Sequence, residues 1–116
     1  MLKSEIQFLR HIFEETSFIL EYTSNISENE FYENRLLKKG IVRCFEIIGE
    51  ATKNIDKEFR LKYYSIPWKE MAGLRDKLIH DYIEVDYYLL WKITKHNIPE
   101  LHYQIEQILK EHNKIE

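Results

Sequence analysis

Cys44 is the only cysteine in the 116 residues. A single thiol excludes an intramolecular disulfide and a cysteine-based zinc site, and it suits a reducing, cytoplasmic setting. Glycine and proline are scarce, at three and two, too few to supply the turns of an all-β fold. A long uninterrupted apolar run is missing, and acidic side chains begin at Glu5. Neither a signal peptide nor a membrane span is therefore expected. Basic excess is missing too. The net charge of -3 argues against a simple basic nucleic-acid binder.

What is present describes a folded helical chain. Apolar residues make up 44% and charged residues 32%, which fits an ordered chain with one modest core. The expectation is a single all-α domain over residues 1–116, a bundle of about five helices. Charge is unevenly spread. Residues 1–34 hold 2 basic and 7 acidic side chains, residues 35–77 hold 11 and 6, and residues 78–116 hold 4 and 7. The basic middle third is either a local phosphate-attracting surface or a set of ordinary solvated helix faces.

Helical periodicity sets the elements. Leu2, Ile6, Leu9, Phe13, Thr16 and Leu20 form one seam, widened by Ile12 and Ile19, which predicts a helix from about Leu2 to Tyr22. Ser27 and Glu30 have capping-box spacing, so a helix is expected near Glu28. From about Asn34 to Ile55, Leu37, Ile41, Cys44, Ile48, Ala51 and Ile55 make one stripe and Val42, Phe45 and Gly49 another. A helix apolar on two sides is the central one. It carries one polar line, Arg43, Glu46 and Glu50. That line either faces solvent or turns Glu50 toward a cleft, and Gly49 permits another backbone to come close. Asp56 to Tyr64 suggests a short helix and a turn, and Ser65 to Trp68 a helix start that leads to Arg75. Leu78, Tyr82, Val85, Leu89 and Ile93 continue a seam until His96–Pro99 interrupts it. A last helix from about Pro99 uses Leu101, Ile105, Ile108 and Leu109, then frays through Glu111 to Glu116.

The chemistry concentrates in Arg75-Asp76-Lys77-Leu78-Ile79-His80-Asp81-Tyr82. Arginine is a permanent forked donor for phosphate oxygens, and histidine exchanges a proton near neutral pH. The pair suffices to break a phosphodiester bond without a metal, one group moving the proton and the other neutralising charge on phosphorus. On a straight helix five steps leave Arg75 and His80 ~140° apart. They meet if the helix distorts, if the arginine reaches round, or if a second copy of the chain completes the site; the last is the preferred reading. Tyr82 falls on the Leu78–Val85 seam, so its plain use is packing.

The Arg-x4-His-x-Tyr spacing, with Ile47 to Ala51, Ile66-Pro67-Trp68, Gly73-Leu74-Arg75, Leu90-Trp91 and Ile98 to Leu101 in order around it, resembles the HepT toxins of the HEPN superfamily of small helical ribonucleases. The resemblance implies a homodimer with both motifs in one interface cleft and an RNA substrate. It implies Arg75 and His80 as catalytic residues, Asp76 and Glu50 as residues that position Arg75, and neither metal nor cofactor. It also implies a nucleotidyltransferase antitoxin of the MNT type, with Tyr82 accepting AMP; the added bulk and negative charge beside Arg75 and His80 would repel a phosphate substrate. Two other classes stand beside this. One is a non-catalytic helical partner that a nucleotidyltransferase modifies; the other is a nucleotide-binding HEPN module in which Arg75 grips a ligand phosphate. His11, His96, His102 and His112 lack metal-ligand spacing and are assigned to surfaces.

Overall fold

In a computed structural model that describes residues 2–113, those residues are helices joined by short turns. The described residues form α1 (Leu2–Thr23), α2 (Glu28–Glu33), α3 (Arg35–Asn54), α4 (Lys57–Lys62), α5 (Trp68–His80), α6 (Tyr87–His96) and α7 (Ile98–Asn113). The count exceeds the five or so expected, in part because the stretch running on from Arg75 through Ile93 is cut in two after His80. Helix α3 lies at the centre, with α1 and α5 against it, and α7 packs on α1.

The stripe predicted for α3 is its buried face. Ile41, Cys44, Ile48, Ala51 and Ile55 are all buried, and Phe45 and Gly49 join them. Its start is fixed by Asn34, whose side-chain oxygen accepts from the Leu37 N–H at 2.9 Å. The capping box before α2 is present in both directions, Glu30 N–H to Ser27 and Ser27 N–H to Glu30. It aims Phe31 into the core, where its ring meets Trp91 at 5.1 Å.

Helix α1 is rotated slightly from the predicted seam. Its most buried line is Leu9, Ile12, Thr16, Ile19 and Thr23, while Ile6, Phe13 and Leu20 are half-buried. The side chain of Leu2 lies outside the described residues. The rotation admits two threonines because each hydroxyl is satisfied: Thr23 donates to the Ile19 carbonyl, and Thr16 donates to that of Phe13 and meets His102 at 2.8 Å. His102 also stacks on Phe13 at 4.6 Å, and His112 meets the Tyr63 hydroxyl at 3.3 Å. These two histidines are half-buried joints between helices, which corrects their assignment to surfaces. No pattern of spacing could find them, because their partners lie far away in the chain.

The seam expected through Leu78, Tyr82, Val85, Leu89 and Ile93 is also corrected. Helix α5 stops at His80, residues 81–86 form a turn, and Asp86 caps α6 by accepting the Leu89 N–H at 3.0 Å. Asp81 and Asp86 favour caps and turns over helix interiors. The break resets the register. Leu90, Trp91 and Thr94 are buried, whereas Leu89 and Ile93 are half-buried, and Tyr82 stands 73% exposed instead of packing. The last turn of α7 runs to Asn113; the fraying expected through Glu116 lies largely outside the described residues.

Candidate active site

Arg75 sits in the middle of α5, and α5 is placed by two devices. At its start the Trp68 indole N–H donates to both the Arg60 and Tyr63 carbonyls, at 3.1 and 3.0 Å, tying α4 and its turn to the first residue of the helix. At its middle the absent side chain of Gly49 lets α5 press directly onto α3. A Cβ at position 49 would fall on the Arg75 Cβ and within 2.8 Å of the Met71 carbonyl oxygen. The close approach foreseen at Gly49 is therefore made within the same chain, and its contact is the motif arginine itself.

The guanidinium is held by two carboxylates. Arg75 Nη2 meets Glu50 Oε1 at 3.0 Å and Nη1 meets Asp76 Oδ1 at 3.1 Å. Lys53 Nζ reaches the same Asp76 oxygen at 2.7 Å. Hydrogen bonds from Lys53 and then Arg75 hold the Asp76 carboxyl below its ordinary 3.8. All three ion pairs are open to water, so each contributes little to stability; their effect is to fix where the fork of Arg75 points. The Arg75 Nε is buried and has no hydrogen-bond partner among the described residues. The arginine stem is thus immersed while its tip faces out.

His80 ends the same helix and is exposed, with no hydrogen bond or ion pair among the described residues. Helix α5 is continuous between the two residues, so Arg75 and His80 keep different sides of it, about 140° apart. Of the expected set, Glu50 and Asp76 are brought to Arg75; His80 and Tyr82 are not brought into that ion-pair cluster. Tyr82 follows two residues later, in the 81–86 turn, with Ile83 beside it at 81% exposure.

A groove opens beside Arg75. Its floor is the polar line of α3, Arg43, Glu46 and Glu50, with Ile47, Ala51 and Asn54. One wall is Phe8 and His11 of α1, and the other is Arg75 and Ile79 of α5. Lys53, His11 and Arg43 were not among the expected site residues. A signal existed for Arg43, since the polar line stood out on an otherwise apolar helix. His11 gave none: it becomes adjacent only when α1 and α5 flank α3. Among the described residues no three His, Cys, Asp or Glu side chains cluster as a metal site requires, and no helix is long and apolar enough to cross a membrane.

The family model described as ribonuclease HepT-like matches residues 12–108 of this chain. Two proteins each named "Putative RNase" are 45% and 46% identical to it. The first, from Caldanaerobacter subterraneus subsp. tengcongensis, aligns over 94% of this chain and 97% of its own length. The second, from Methanocaldococcus jannaschii, aligns over 96% and 93%. A "Probable ribonuclease HepT" of Thermococcus cleftensis is 41% identical over 95% of this chain and 100% of its own. No solved structure matches significantly.

Proposed function

The chain belongs to the ribonuclease HepT-like family, and on that footing we propose that it is an endoribonuclease that cuts RNA without a metal, with Arg75 and His80 as its catalytic residues. The supporting observation is the state of Arg75, whose fork is aimed by Glu50 and Asp76 and remains reachable from an open groove. His80 moves the proton between the attacking 2′-hydroxyl and the departing 5′-oxygen, and Arg75 neutralises the phosphate as negative charge builds on it. The products are a 2′,3′-cyclic phosphate and a free 5′-hydroxyl, so no water or cofactor enters the step.

One chain does not bring His80 round to Arg75, since an unbroken helix separates their directions. A homodimer in which each chain lends one group to the other's cleft resolves this. The exposed apolar residues Ile79, Tyr82 and Ile83, adjoining His80, give such an interface something to bury. Tyr82 has a second role in this reading. Its exposed phenol is the acceptor of AMP from a nucleotidyltransferase antitoxin, the oxygen attacking the α-phosphorus of ATP with pyrophosphate leaving. The protein is then the toxin of a toxin–antitoxin pair, acting in the cytoplasm.

Purified protein incubated with labelled RNA tests the reading. Cleavage by wild type in the presence of a chelator, lost in Arg75→Ala and His80→Ala, is the expected result. Equal cleavage by wild type and His80→Ala removes the catalytic assignment. An adduct of AMP mass on Tyr82 after incubation with ATP and the nucleotidyltransferase checks the modification separately.

A further inference from the structure

Cleavage chemistry needs one phosphate, but a ribonuclease must also hold the strand on either side of it. The groove beside Arg75 extends away from that residue along α3. From Glu50, which grips Arg75, to Arg43 is seven residues, about 10 Å along the helix axis. Arg43 therefore stands about two turns along α3 from the residue that grips Arg75. Its side chain is 71% exposed and its contact with Glu46, at 3.4 Å, is a long surface pair of the kind that contributes little. Four of the five donors of a guanidinium stay available in such a pair.

Across the groove stands His11, exposed on α1 with the Phe8 ring edge-on to it at 6.1 Å. The formal charges of the groove are Arg43 and Arg75 against Glu46 and Glu50, which cancel. An aromatic edge and an imidazole on the α1 wall, beside an exposed guanidinium on the α3 floor, are the parts that single-stranded nucleic acid uses: a cation for backbone and a flat ring for a base.

We propose that the groove between α1, α3 and α5 is a substrate-binding subsite, in which Arg43 and His11 hold a phosphate and its nucleotide next to the one that Arg75 holds for cleavage. This rests on the ribonuclease reading of Arg75. Neither residue touches the reacting phosphorus; both set how the strand enters. Carboxylates Glu46 and Glu50 lie between the two arginines along the floor, so the strand meets cationic groups only at Arg43 and Arg75.

Two measurements test it. The first is steady-state cleavage of a single-stranded RNA by wild type, Arg43→Ala, His11→Ala and Lys110→Ala, the last an exposed cation on α7 that serves as control. The second is fluorescence anisotropy of the same RNA bound to His80→Ala protein with and without those changes, across a series of salt concentrations. Arg43→Ala and His11→Ala should each raise KM about tenfold, with the loss in KM rather than kcat. Arg43→Ala should also flatten the salt slope by about 0.7, the loss of one single-strand phosphate contact; Lys110→Ala should do neither. Unchanged affinity and slope in both variants would overturn the proposal. So would a shift in the monomer–dimer equilibrium with no change in slope, since that marks the groove as a face between chains. A wild type that cuts no RNA would sink the ribonuclease reading instead, and the anisotropy series would still judge the groove on its own.

Discussion

Each side chain of the Arg75 cluster has a separable effect. Removing the guanidinium with Arg75→Ala should lower cleavage about 10²–10³-fold, the usual worth of one preorganised donor at a developing charge. Arg75→Lys should recover little of it, because an ammonium cannot bridge Glu50 and a phosphate with a planar fork. Asp76 offers a direct readout of the same cluster. Its carboxyl is held below its ordinary 3.8 by Lys53 and Arg75, so whatever it adds to the folded state is present above that range and is lost as pH falls through it. Lys53→Ala should move the Asp76 titration upward, observed by carboxyl carbon NMR. Cys44 behaves in the opposite sense. Burial first, and then the neighbouring Glu15, push its thiol from 9.0 up to about 12. The neutral thiol's contribution is complete below pH 9 and disappears between there and about 12. Folded protein at pH 8.5 should therefore resist alkylation at Cys44 by iodoacetamide, and urea-unfolded protein should not.

Among the elements, α3 was the most legible and the α5–α6 region the least. The double stripe on residues 37–55 identified α3 as central because every apolar position repeats at helical steps and is in fact buried or half-buried. Ser27 and Glu30 announced α2 because both halves of a capping box lie within four residues. The break after His80 was missed for a physical reason. The 81–86 stretch keeps apolar residues at helical spacing, and only its aspartates signal otherwise. Propensity is a local vote that spacing can outweigh on paper. The charge asymmetry could not name Lys53, which is drawn to Asp76 by the packing of α3 on α5. Two variants test these elements. Ser27→Ala should lower stability by about 1 kcal/mol through loss of the cap, read from urea midpoints at an unchanged m-value. Gly49→Ala should cost more, about 1–3 kcal/mol for forced overpacking, and should also weaken cleavage, since the new methyl lands on the stem of Arg75.

At the scale of the molecule, the chain is a slab of 44 × 30 × 20 Å, thin enough that few side chains lie far from water. Its accessible surface is 7656 Å², against roughly 6800 Å² for a compact chain of 14.3 kDa. The surplus is a property of shape, and exposed Ile79, Tyr82 and Ile83 mark where a second copy would recover part of it. Sedimentation velocity should find a dimer, and Ile83→Asp should dissociate it while leaving the helical circular dichroism intact. Cleavage should fall with dissociation if the cleft is shared, and mixing Arg75→Ala chains with His80→Ala chains should restore part of the activity in the heterodimer.

The fit of α5 against Gly49 carries an implication for descent. A helix that touches another through a missing side chain leaves its opposite number no freedom to grow or shift alone. Any lineage that places a larger residue at position 49 must move α5 and so relocate what stands at position 75, and if position 75 is reserved for catalysis, position 49 is reserved with it. Across relatives the two sites should change together or not at all.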